Sequence, residues 1–216
     1  MKKLLLIGIF AFTGCLVFGQ QDQKAKPILE NVSKTTQSYK TIQATFDYVM
    51  DNKDEGIHEN NKGDIIMKGE KYRLKLPELG LEVYSDGENV WTYMKDANEV
   101  SIASADDEST EMMNPSRLFT IYEHGFNYRF VEEKTIDGLP VYVIDLFPEN
   151  DSIEYSKIRI QVDKQRMLIK KAEMTGKEGN NYIINVNDLK TNVPADDKLF
   201  IFDAGKHPGV ETVDLR

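Results

Sequence analysis

Hydrophobic and polar residues alternate in steps of two along most of the chain, most densely in the stretch 63–102. There Tyr72, Leu74 and Leu76 share one face while Arg73 and Lys75 share the other, the mark of a strand with one dry side. Ser85-Asp86-Gly87 and Lys95-Asp96-Ala97-Asn98 supply the polar corners that tight hairpins demand. Between those corners, Val90 to Met94 is largely apolar or aromatic on both sides: Trp91 and Tyr93 point one way, Val90 and Met94 the other. A surface strand needs only one apolar face. This one predicts that something apolar, protein or ligand, covers each side of the sheet.

Two segments break the period. Residues 22–39 have helical spacing, with Ile28, Leu29, Val32, Thr36 and Tyr39 in one stripe and Pro27 in the first turn. Asn114-Pro115 and Gly125 bracket a second, short helix that carries Leu118, Phe119 and Tyr122, just after the flexible pair Met112-Met113. That helix reads equally as a packed surface element or as a movable cover. Elsewhere the period is two: Ala44, Phe46, Tyr48 and Met50 share a face, and 126–133, 139–147, 155–162, 167–175, 182–189 and 199–202 read as strands. Regular spacing with short turns predicts antiparallel neighbours throughout, in a mainly β fold of roughly eleven or twelve strands. A sheet that long curls, and two amphipathic helices are available to fill its hollow.

Composition narrows the function. The formal charge of −9 argues against nucleic-acid binding, which needs a basic face to neutralise phosphates. Residues 1–19, a basic start followed by an apolar run, read as a secretory signal too short for the ~20 residues of a membrane span. Residues 20–216 then form a single domain. Gly14-Cys15 leaves open a lipidated N-terminus, with Cys15 as the acylated residue, beside plain secretion. Asp51 to Gly56 begins like a calcium loop, but Lys53 and Lys62 stand where ligands belong. His58, His124 and His207 are not spaced for a metal, and no nucleophile elbow or phosphate loop occurs. Catalytic residues, metal and cofactor are therefore expected to be absent.

ILENVSKTTQSYKTIQATFDYVM, the stretch 63–73, SDGENVWTYMKDANEV, NPSRLF and FIFDAGKHPGVETVDL together resemble, in order and spacing, the periplasmic carriers of outer-membrane lipoproteins, the LolA family. The resemblance implies an incomplete antiparallel β-barrel of about eleven strands enclosing an apolar cavity closed by short helices. It implies a monomeric periplasmic carrier that takes acylated lipoproteins from an inner-membrane ATP-driven transporter to an outer-membrane receptor. The expected acyl-binding residues are Phe46, Tyr48, Tyr72, Leu74, Trp91 and Tyr93, with Met113, Leu118, Phe119 and Tyr122 from the cover. The family's Arg-Pro step is missing, and Lys68 is the candidate for the basic position that latches the lid. An anchored acceptor, if Cys15 is lipidated, and a lipid-sensing regulator of the same fold are the alternatives.

Overall fold

A computed structural model of the chain describes residues 23–107, 125–150 and 153–216. One helix, α1 (Ala25–Ser38), precedes eleven strands: β1 (Ile42–Asn52), β2 (Ile57–Lys68), β3 (Lys71–Leu76), β4 (Leu81–Ser85), β5 (Asn89–Met94), β6 (Glu99–Ser104), β7 (Phe126–Ile136), β8 (Leu139–Pro148), β9 (Tyr155–Asp163), β10 (Leu168–Gly176) and β11 (Asn181–Thr191). A twelfth, β12 (Glu211–Asp214), closes the chain. They form one open sheet in the order β12-β6-β5-β4-β3-β2-β1-β11-β10-β9-β8-β7. The sheet does not close on itself, as the incomplete barrel expected from the sequence requires.

The strands form where the period-two pattern and the turn chemistry agree. Asp137 and Gly138 both adopt positive φ between β7 and β8, the mirror-image turn that suits the twist of a hairpin. Pairing of β1 with β11 joins the two meanders and sets Ile42 opposite Thr191. Two expectations are corrected. Residues 199–202 are not a strand: Asp197–Phe200 is a 3-10 turn whose Phe200 is fully buried. Nor are all neighbours antiparallel, because β12 runs parallel to β6.

Helix α1 has no side-chain cap at its N-terminus and depends on its buried stripe of Ala25, Ile28, Leu29, Val32 and Thr36. That stripe packs with Tyr128, Ile144, Leu146, Ile158, Ile160, Val162 and Ala172 in the core over β7 to β10. The cover helix expected around 114–122 lies outside the described residues, as does the N-terminal segment with Cys15. After β11 the chain turns through Asn192 and runs back across the sheet as a strap. Thr41 donates to the Val193 carbonyl at 2.6 Å, and Leu215 N–H donates to the Ile102 carbonyl at 2.8 Å. Phe202 and Val210 of the strap pack with Tyr84, Trp91, Tyr93 and Val100.

Candidate functional site

Residues paired across an antiparallel ladder present their side chains on the same side of the sheet, so the register maps each face. Ile160 pairs with Ala172, Ala172 with Ile184, and Ile184 with Tyr48. Along the next strands Ala44 pairs with Ile65, Ile65 with Leu74, and Leu74 with Val83. The face that meets α1 is therefore apolar far beyond it. On the half where β1 to β5 lie, Ile42, Met67, Tyr72, Val83 and Val90 form a second buried cluster, flanked by half-buried Ile65, Leu74, Leu81 and Leu189.

Four of the expected lining residues, Phe46, Tyr48, Tyr72 and Leu74, lie on this α1 face. Trp91 and Tyr93 do not. Trp91 pairs with Tyr84, and Tyr84 with Arg73, which sets the pair on the opposite side. There Tyr93 contacts Phe202, with ring centroids 5.2 Å apart, and His207, at 4.4 Å. On this second dry side of β5 the strap residues Phe202 and Val210 pack against Trp91 and Tyr93. Lys68 also serves the strap, donating to the Ala195 carbonyl at 3.2 Å and to Asp197 Oδ1 at 2.6 Å. It ties down a C-terminal segment; the cover helix it was expected to latch lies outside the described residues. Met113, Leu118, Phe119 and Tyr122 fall outside the described residues.

Sequence reasoning missed Ile65, Met67, Val83 and Val90 on the α1 face. For three of them the signal was present once register is known, since Ile65 and Val83 pair with Leu74 and Met67 pairs with Tyr72; Val90 pairs with Ser85, which the sequence marked only as a turn residue. At one end of the face Tyr48 stacks on Tyr182 at 6.0 Å, and Tyr155 meets Tyr182 edge-on at 6.1 Å. Burial, reinforced by Tyr182, Tyr155 and Glu59, pushes the Tyr48 phenol up to about 12. An open groove of about 730 Å³, a size that suits small ligands, has Phe46, Gly63 and Pro77 beside Asp47, Lys62 and Asp64 in its lining. Among the described residues no three His, Cys, Asp or Glu side chains gather as metal ligands, and no helix is long and apolar enough to cross a membrane.

A family model described only as an uncharacterized protein matches residues 79–191. The uncharacterized protein MJ0687 of Methanocaldococcus jannaschii is 25% identical over 210 residues, covering 94% of this chain. The chain spans only 56% of that curated relative's length. Among solved structures, an uncharacterized conserved protein from Thermus thermophilus shares the fold with a TM-score of 0.62 at 13% identity, over 89% of this chain and 99% of the other. A LolA superfamily protein from Nitrosomonas europaea is a looser likeness, with a TM-score of 0.45 at 14% identity over 82% of this chain and 97% of that one.

Proposed function

Since the chain belongs to the uncharacterized family whose model spans 79–191, we propose from its own geometry that it is a carrier of acyl chains, binding the hydrocarbon tails of lipoproteins on the α1 face. The observation that carries this reading is the length of the apolar stripe. It runs from the α1 core through Tyr48, Phe46, Ile65 and Leu74 to Val83, well past the strands that α1 packs on.

A stripe of this kind suits hydrocarbon energetically. Each buried methylene contributes ~0.8 kcal/mol, so one sheltered chain supplies on the order of 10 kcal/mol. The cluster at Tyr72 is already buried by the chain itself, so a tail must displace what covers it. Net affinity is then the difference between two burials, small enough for hand-over to a tighter acceptor. The apolar N-terminal run supports work outside the cytoplasm; a carrier there would take its cargo from an inner-membrane transporter and pass it to an outer-membrane receptor. Gly14-Cys15 favours one second reading, an anchored acceptor, and the mass of the mature N-terminus separates the two.

The test uses displacement of a fluorescent fatty-acyl probe by an acylated lipopeptide. Leu74→Glu, which sets a charge in the stripe, is expected to weaken binding at least tenfold. Trp91→Phe, on the strap side, is expected to leave it unchanged. Equal binding by wild type and Leu74→Glu would remove the α1 face from the mechanism.

A further inference from the structure

Tyr72 lies in the middle of the proposed binding face, 1% exposed, among Ile42, Met67, Val83 and Val90. Its hydroxyl is buried and has no hydrogen-bond partner. The other phenols on neighbouring strands are served: Tyr84 donates to Glu82, and Tyr93 donates to Asn98 Oδ1 at 3.2 Å. Ser85, opposite Tyr72 in the ladder, has its Oγ engaged by the Gly87 N–H at 3.2 Å. A phenylalanine would fill the same space without leaving a donor dry, and a buried donor without a partner costs its full desolvation. The hydroxyl therefore offers a free donor to a ligand that reaches this face.

Burial alone pushes this phenol up to about 12, with no charged neighbour contributing. It stays neutral, one O–H donor with acceptor lone pairs, at any physiological pH. Among the described residues, a carboxylate brought here would enter an apolar site with no charged group acting on the Tyr72 hydroxyl, which is costly. An ester or amide carbonyl needs just one donor and carries its own hydrocarbon.

Resting on the carrier reading above, we infer that Tyr72 is a specificity-determining residue: its hydroxyl donates to the carbonyl of a neutral acyl ester whose chain lies along Leu74 and Ile65, selecting acyl esters over free fatty acids and bare hydrocarbon. The test compares 1,2-dioleoylglycerol with its dioleyl-ether counterpart and with oleate, each displacing a fluorescent acyl probe from the full chain. Wild type is expected to prefer the ester over the ether by about 5- to 10-fold, the worth of one hydrogen bond, and to bind oleate more weakly than the ester. Tyr72→Phe is expected to bind ester and ether alike, at the wild-type ether affinity, with a ligand-free Tm equal to or above that of wild type. Wild type that treats ester and ether alike overturns the inference and leaves the carrier reading standing, and it does so without any variant. Tyr72→Phe that keeps the preference, or that unfolds at lower temperature because the hydroxyl was satisfied all along, overturns it too. Wild type that binds none of the three lipids brings down the carrier reading and this inference with it.

Discussion

At Gly63 the neighbouring strand leaves no room for a side chain. Gly63 pairs with Phe46, and a Cβ at position 63 would overlap the Phe46 ring, which lies down over the bare backbone. That contact holds Phe46 at 8% exposed on an otherwise half-open part of the sheet. Gly63→Ala is expected to destabilise the chain by about 1–3 kcal/mol, the range for an overpacked site. Phe46→Leu combined with it should cost less than the two single changes added, since the smaller side chain relieves the overlap; urea unfolding of the four chains gives the coupling. A second residue under tension is Asp145, fully buried on β8 on the side away from α1. Arg159 grips it at 2.6 and 2.9 Å, and Arg129 reaches it at 3.4 Å. Burial pushes this carboxyl up, but the Arg159 hydrogen bonds outweigh it and hold it below the usual carboxylate range. A carboxyl lowered on folding stabilises above its unfolded value and loses that contribution as pH falls through the folded one. Asp145→Asn is expected to cost about 3 kcal/mol at neutral pH, the low end for a broken buried pair because both arginines are partly exposed. The gap to wild type should narrow in acid, which unfolding at stepped pH measures.

Among the elements, the strap is the one whose attachment is most electrostatic. Asp197 accepts from Lys68 and from Lys71 at 2.8 Å, and these bonds lower its carboxyl to about 2 from the ordinary 3.8. The lowered value fixes the sign: the pairing is fully present above about 3.8 and is lost as pH falls towards about 2. All three groups are accessible to water, so global stability is expected to move little. Local opening is the sensitive readout. Asp197→Asn should raise amide exchange in the 3-10 turn and leave β9 and β10 protected. The strap is also where the sequence was hardest to read. Strands such as β9 and β10 were legible to within a residue or so because alternation, turn residues and spacing all agree there. Ile201 and Phe202 looked like strand because both are apolar, yet Phe202 docks by its side chain alone and Ile201 stays exposed. β12, Glu-Thr-Val-Asp, is too short and polar to announce itself. For the candidate site, Val90 to Met94 told that both faces are covered but not by what. Phe46, Tyr48, Tyr72 and Leu74 could be placed together, while Trp91 and Tyr93 needed the register with β4. Lys68 was a recognisable basic anchor whose partner, 129 residues further along, no local pattern names.

For the molecule as a whole, the consequence is a sheet with two separately employed faces. Its edges are blunted: β7 carries Glu132, Glu133 and Lys134 with an irregularity between Phe130 and Glu132, and β12 is four residues long. That leaves the faces to do the binding. One is apolar from α1 to β5; the other, over β4 to β6, is closed by Phe202, Val210 and the aromatic stack at His207. The chain holds a single tryptophan, and it lies on the strap side. Trp91 is thus a reporter for the strap that is blind to the other face. Saturation with an acylated lipopeptide is expected to leave its emission maximum where it was. Lowering pH from about 4 to about 2, where Asp197 loses its charge, is expected to shift that maximum to the red as water reaches the indole. A lipopeptide-induced shift in Trp91 emission would mean that cargo and strap compete or couple across the sheet, and that the two faces do not work apart.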